Sequence, residues 1–93
     1  MVTLAFENAV MEDAAILIPF AHDPCSRVRI NANRDNAVIE HEYCDFFLHN
    51  GEEVAEWVWR PAARQLNADE INSILKELRQ YAENEIFLSH AVC

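Results

Sequence analysis

The chain has 93 residues, of which 52% are hydrophobic and 10% aromatic, a composition typical of one folded domain. Sixteen acidic residues against seven basic ones give a formal net charge of −9. This charge disfavours binding to nucleic acid or to an anionic membrane, because both would repel the chain, and it favours a basic partner.

The sequence also indicates a cytoplasmic protein. No apolar run approaches the roughly 20 residues that span a bilayer, and the N-terminus lacks the basic and apolar regions of a secretory signal. The three cysteines are an odd number, which argues against a framework of disulfides.

The first twenty residues contain two short apolar runs. Residues 2–6 alternate between large apolar and smaller side chains, and residues 14–20 form a second run interrupted by Pro19. The pattern favours two strands joined by a turn at residues 12–13. A short helix across residues 8–18 is the alternative, because short apolar runs fit either period.

Residues 27–60 hold both tryptophans and the only glycine, and their pattern predicts three antiparallel strands. We expect residues 21–26 to form a loop, residues 28–32 a strand and residues 33–36 a turn rich in Asn and Asp. The following strand changes the parity of its apolar residues, which predicts a β-bulge near residues 44–45.

The next turn has a stronger signal. Asn50-Gly51 is the dipeptide most typical of a two-residue hairpin turn. It leads into a strand in which Ala55, Trp57 and Trp59 share one face.

The last third of the chain predicts a helix from about residue 68 to residue 87. Asn67 and Glu70 have the spacing of a capping box, and apolar residues then recur at intervals of 3, 4 and 7. We expect Ile74, Leu78 and Tyr81 to pack on the face with the tryptophans. The predicted fold is a single α+β domain, residues 1–93, with an antiparallel β-meander of four to five strands packed on one face by a long C-terminal helix.

Each of the three cysteines follows a histidine at the same offset, at positions 22/25, 41/44 and 90/93. Imidazole and thiolate are good zinc ligands, but residues three apart on a regular strand point to opposite faces. We therefore expect no metal and no cofactor. Cys44 beside His41 or His49 lacks an oxyanion site, and one glycine leaves no phosphate-binding loop, so we expect no enzyme activity.

The acidic residues between Arg34 and Arg60 are the strongest functional signal, because no basic residue separates them. Glu40 and Glu42 stand on one face roughly 6.6 Å apart, similar to neighbouring phosphates on a nucleic-acid strand. With Glu53 or Glu56 on the adjoining strand they form an array of carboxylates, although a solvated sheet face is the simpler account. The candidate partner-binding residues are Glu40, Glu42, Asp45, Glu52, Glu53 and Glu56.

The sequence thus favours a small acidic protein that binds and inhibits a basic, nucleic-acid-binding protein or complex without contacting nucleic acid or membrane itself. By class analogy, phage-encoded inhibitors of this kind include anti-CRISPR and anti-restriction factors that act by charge mimicry or groove blocking. The alternatives are a small metal-binding or regulatory domain using the His-x-x-Cys pairs, and a structural or assembly subunit working through its sheet edge. A homodimer remains open.

Overall fold

The computed structural model describes residues 3–92, and the side chains of residues 3–82. In chain order the elements are a 3₁₀ turn Phe6–Asn8, β1 Val10–Glu12, β2 Ala15–Phe20, β3 Asp23–Ile30, β4 Ala37–His49, β5 Glu52–Pro61 and α1 Ala68–Val92. The strands form one antiparallel sheet in the order β1-β2-β3-β4-β5. The predicted α+β meander with a C-terminal helix is confirmed.

Two of the hairpin turns have the same backbone conformation. Asp13 and Ala14 have φ of 50° and 64°, and Asn50 and Gly51 have φ of 54° and 81°. Positive φ at both central residues is the type I′ geometry that matches strand twist. The Asn50-Gly51 turn is confirmed. The N-terminal hairpin also forms, with its turn one residue later than predicted, so the alternative helix across residues 8–18 is wrong.

The edge of the sheet beside β2 is interrupted. Leu4 forms one bridge with Phe20, and β1 resumes the pairing at Val10 opposite Leu17. The chain from Leu4 to Val10 therefore contains more residues than the β2 segment it faces, and the excess forms the 3₁₀ turn. The predicted strand at residues 2–6 is wrong, because Phe6 turns back to pack on the core.

β3 begins earlier than predicted, at Asp23, so the expected loop at residues 21–26 is wrong from residue 23 onward and only residues 21–22 form the turn. The Asp23 carboxylate accepts hydrogen bonds from the Cys25 N–H at 3.0 Å and the Ser26 hydroxyl at 2.6 Å. These local bonds order a segment whose polar composition resembles a loop.

The predicted bulge near residues 44–45 is also wrong. The β4–β5 register continues without a break from Glu40–Pro61 to His49–Glu52. The apolar parity changes because Phe46 and Leu48 lie beyond the core, where a strand has no buried face to maintain.

The core lies between the sheet and α1. Alternate residues of β2, β3 and β4 point to this side, which we call the helix face, and Ile71, Leu75 and Leu78 of α1 pack over them. The buried members are Leu4, Ile16, Ile18, Val28, Ile30, Ala37, Ile39, Ala62 and Ile74.

The tryptophans lie on the other side of the sheet, which we call the open face. Trp59 pairs with Glu42 and Trp57 with Cys44, at even-numbered positions of β4, whereas Ile39 belongs to the helix face. The predicted packing of Ile74, Leu78 and Tyr81 on the tryptophans is therefore wrong. Tyr81 instead approaches Phe6, with ring centroids 6.1 Å apart.

The connector before α1 explains which face the helix covers. The Ala62 N–H bonds to the Ile39 carbonyl at 2.8 Å, and the Gln65 side chain bonds to both backbone groups of Ile39. Ala62 is buried in the core on the helix face and Leu66 packs against that core, so the chain leaves β5 on this face.

The capping box at the start of α1 is confirmed, since the Glu70 N–H donates to Asn67 Oδ1 at 2.9 Å and the Asn67 N–H to Glu70 Oε1 at 3.2 Å.

Candidate partner-binding surface

The far part of the β4–β5 hairpin projects from the domain. β4 pairs with β3 only from Ala37 to His41, whereas its pairing with β5 extends to His49. Residues 42–59 therefore form a two-stranded ribbon, which we call the arm, and it extends about 26 Å at ~3.3 Å per residue. The molecule measures 57 × 34 × 26 Å with a radius of gyration of 16.3 Å. A compact chain of this length would have a radius of gyration of ~12 Å, so the molecule is elongated.

The open face of the arm exposes three large apolar side chains. Phe46 is 69% exposed, Leu48 74% and Trp57 64%. They neighbour one another because Cys44 pairs with Trp57 and Phe46 with Ala55. We call Phe46, Leu48 and Trp57 the arm patch. Contiguous apolar surface of this kind is typical of interaction sites on soluble proteins.

The opposite face of the arm also exposes large apolar side chains. Tyr43 pairs with Val58 and Phe47 with Val54, and both aromatic rings are exposed. A two-stranded ribbon without a packed face is marginally stable in water. The arm thus has the composition of a segment that gains stability when a second surface covers it.

The six candidate acidic residues do not share one face. Glu40 and Glu42 lie together on the open face, as the sequence predicts, with Glu53 farther along the same face. Asp45, Glu52 and Glu56 lie on the opposite face. The acidic residues therefore border the apolar groups on both faces of the arm instead of forming one regular array.

Glu40 has a partner within the protein. Its side chain is 12% exposed and accepts a hydrogen bond from Arg27 Nε at 2.8 Å. Arg27 also stacks on Trp59, with its guanidinium carbon 4.1 Å from the ring centroid. A groove of about 210 Å³ lies beside this cluster, lined by Asn8, Val10, Glu12, Leu17, Pro19, Pro24, Arg27 and Trp59. Glu40 is thus an internal ion-pair partner, and Trp59 is held by Arg27.

Two arm acids stand directly opposite each other. Asp45 pairs in register with Glu56, and Asp45 also forms an ion pair with Arg60. Like charges directly opposite on a sheet are destabilising. A cation supplied from outside the chain would relieve this contact.

Ser26 connects two strands through a partly buried hydrogen-bond network. Its hydroxyl is 2.6 Å from Asp23 Oδ2 and 2.7 Å from His41 Nδ1, and Ser26 is 1% exposed. The bond from Ser26, with that from the Cys25 N–H, lowers the pKa of Asp23. Because the hydroxyl proton points to Asp23, His41 donates from Nδ1 to Ser26. The network ties β3 to β4 and leaves Ser26 unsuited to nucleophilic attack.

The His-x-x-Cys pairs do not meet where the structure describes them. His41 lies on the helix face and Cys44 on the open face, as the strand geometry predicts, and Cys25 is exposed near the β2–β3 turn. The pair at 90 and 93 falls outside the described side chains. Among the residues that are described, no three His, Cys, Asp or Glu side chains group as metal ligands.

Comparison with known proteins gives no relative. No protein-family model matches the chain, and neither curated proteins nor solved structures contain a significant match. In the described part of the chain, no helix is both long and apolar enough to cross a membrane. Function must therefore be inferred from the surface of the molecule itself.

Proposed function

We propose that this protein is a small acidic interaction protein that binds a basic, nucleic-acid-binding partner through the arm and inhibits it. The observation behind the proposal is the combination found on residues 42–59. Exposed aromatic groups occupy both faces, and five acidic residues (Glu42, Asp45, Glu52, Glu53 and Glu56) accompany them without any Lys or Arg.

The two kinds of side chain supply different parts of binding. Large aromatic groups in the centre of an interface provide most of its energy when a partner pocket excludes water around them. Acidic groups at the rim accelerate encounter with a basic surface and select against acidic ones. Grooves that hold nucleic acid are lined with Lys and Arg that neutralise phosphates, so they have the charge that the arm requires.

Groove blocking fits the arm better than phosphate-by-phosphate mimicry. Glu40 is neutralised by Arg27, and the remaining acids are divided between two faces. A ribbon with charge on both faces can occupy a groove and contact both of its walls. An anti-CRISPR or anti-restriction factor is the specific form of this proposal, since those systems depend on basic nucleic-acid-binding grooves.

The first test measures the charge contribution. A partner is captured from bacterial lysate, identified and purified, and its binding to variants Glu42→Lys, Glu53→Lys and Glu56→Lys is followed by surface plasmon resonance. Each reversal should slow association, and the triple variant should do so by at least about tenfold. Glu77→Lys is the matched control, because Glu77 is an exposed acid on α1, and it should associate like the wild type.

Salt and competition complete the test. Raising ionic strength well above 0.15 M should weaken the complex, since exposed charges are screened beyond a Debye length of roughly 8 Å. The partner's nucleic acid should compete with this protein. If the lysine variants bind as tightly as the wild type and nucleic acid does not compete, the proposal is wrong.

The arm patch is tested through dissociation. Trp57→Ala and Phe46→Ala should each accelerate dissociation, with a loss of about 2 kcal/mol or more at a central anchor. Met11→Ala is the control, because Met11 is 66% exposed on β1, away from the arm, and its loss should be within about 0.5 kcal/mol. Equal effects of all three substitutions would place the interface elsewhere.

A further inference from the structure

β5 forms one edge of the sheet along its whole length. In the strand order no strand follows it, and no described residue pairs with its outer side. Natural edge strands are usually short or protected by charged side chains, prolines and bulges. Glu52–Pro61 has ten residues and an unbroken register, its proline stands at the last position, and its charges are of both signs, so they can pair with those of another strand. This edge is therefore a template for pairing with another strand.

One hydrogen bond shows which residues of β5 have backbone N–H and C=O groups that face outward from the sheet. The Ala62 N–H donates to the Ile39 carbonyl, so even-numbered residues of β5 direct their backbone groups toward β4. Odd-numbered residues, including Ala55, Trp57 and Trp59, direct their N–H and C=O outward. Pro61, which has no N–H, also faces outward, the position that proline tolerates in a strand.

We propose that two copies of this chain form a symmetric dimer by antiparallel pairing of their β5 edges, with Val58 on the two-fold axis. The proposal is independent of the function proposed above, because it requires no other protein. It joins the two meanders into one continuous sheet with both open faces on the same side.

Side-chain chemistry selects this register. With Val58 on the axis, Glu56 of each copy faces Arg60 of the other, and Trp57 faces Trp59 on the open face. Shifting the axis to Glu56 sets that carboxylate against its own copy. Shifting it to Trp57 places Glu56 opposite Val58 and Arg60 opposite Val54, which leaves both charges without a partner. Of these three registers, only the one centred on Val58 pairs both charges with opposite charges.

The register centred on Val58 also supplies charge partners to Arg60 and Glu56, whose interactions within the single chain are incomplete. Arg60 already forms an ion pair with Asp45, and a second carboxylate from the other copy would contact its remaining N–H groups. Glu56 stands against Asp45 within its own chain, and Arg60 of the second copy would neutralise this repulsion. Trp57 and Trp59 of one copy would bond through their backbones to Trp59 and Trp57 of the other.

A charge-swap experiment tests the dimer. Sedimentation velocity of the wild type over a range of concentrations should show a reversible two-chain species. Glu56→Arg and Arg60→Glu should each weaken self-association by about tenfold, because two symmetric pairs become like-charged. Mixing the two variants should restore association, since position 56 of each copy then faces an opposite charge at position 60 of the other. Glu53→Arg is the control on the same strand, because its register partner lies beyond β5.

Disulfide trapping tests the register itself. Val58→Cys is introduced into a chain whose Cys25, Cys44 and Cys93 are replaced by serine. The two copies of position 58 form a non-hydrogen-bonded pair with Cα atoms about 4.5 Å apart, within disulfide range. Mild oxidation should convert this variant to a covalent dimer but leave Val54→Cys monomeric. A wild type that stays monomeric at all concentrations overturns the proposal, as does a dimer that neither cross-links through position 58 nor responds to the charge changes.

Discussion

Ile74 and Trp57 test which face of the sheet is the core. Ile74 is 4% exposed inside the core, whereas Trp57 is 64% exposed on the arm. Ile74→Ala should leave a cavity and lower the free energy of unfolding by about 2–5 kcal/mol. Trp57→Ala should lower it by less than about 1 kcal/mol, because most of the ring is already in water. Urea denaturation measures both, and equal losses would contradict the assignment of faces.

Ala14 adopts a backbone conformation that favours glycine. Its φ of 64° places an L-residue in the left-handed region, at a penalty of roughly 1–2 kcal/mol. Ala14→Gly removes this strain while adding freedom to the unfolded chain, so we expect a net gain of about 0.5 kcal/mol. Ala9→Gly is the control, because Ala9 has φ −64° and no strain to relieve, so the added freedom of the unfolded chain and the loss of a partly buried methyl group should both destabilise this variant. Thermal unfolding should move in opposite directions for the two variants.

Asp23 makes part of the stability depend on pH. The Ser26 hydroxyl and the Cys25 N–H hold its pKa below the ordinary value, so the folded state binds its proton less readily than the unfolded state. Its contribution is present above about pH 4 and is lost as the pH falls through the folded-state pKa. The stability difference between wild type and Asp23→Asn should therefore shrink below about pH 4. A difference independent of pH between 7 and 3 would show that the carboxylate charge has no role.

At the level of elements, signals confined to a few residues are read correctly from sequence. The Asn67–Glu70 capping box and the Asn50-Gly51 turn form as predicted, because their hydrogen bonds and φ angles depend on adjacent residues. Alternation also groups Trp57 with Trp59 correctly. It cannot say which side the helix will cover, because that depends on where the connector after Pro61 crosses the sheet.

The arm should be the least stable element of the sheet. Its strands have one neighbour each, and Gly51 at its tip has φ 81°. Gly51→Ala meets no atom within 4 Å, but its backbone conformation is unfavourable by roughly 1–2 kcal/mol for alanine. Amides of the arm should then exchange with deuterium about five- to thirtyfold faster, while those of β2 and β3 remain unchanged. Uniform acceleration across the sheet would mean that the arm does not open separately.

At the level of the whole molecule, the sequence locates the acidic region but not its geometry. The acids after Arg34 do fall mainly on one projecting hairpin, yet Glu40 is paired with Arg27, which lies 13 residues earlier. The sequence favours a core position for Trp57 over an exposed anchor for a partner, because aromatic residues are usually buried, whereas Trp57 is exposed in the arm patch. The sequence signal for this exposed patch is the change of parity in β4. Phe46 and Leu48 stand at even positions, whereas the core residues Ala37 and Ile39 stand at odd positions, so Phe46 and Leu48 point away from the core.

Shortening the arm separates folding from binding. Removing residues 43–48 together with 53–58 joins Glu42 to His49 and Glu52 to Trp59, which retains the Asn50-Gly51 turn. Each deletion has six residues, so every remaining side chain keeps its face and the pair Glu42–Trp59 lies next to the pair His49–Glu52.

No member of the buried core lies in the deleted segments. The shortened chain should therefore unfold cooperatively, and its stability should differ from that of the wild type by no more than about 1–2 kcal/mol. It should also lose binding to the basic partner, since both the arm patch and the acids at positions 45, 53 and 56 are absent. Circular dichroism during denaturation and the binding assay measure the two properties independently. An unfolded product would show that the arm is part of the folding unit, and a folded product that binds normally would move the interaction surface to the body of the sheet.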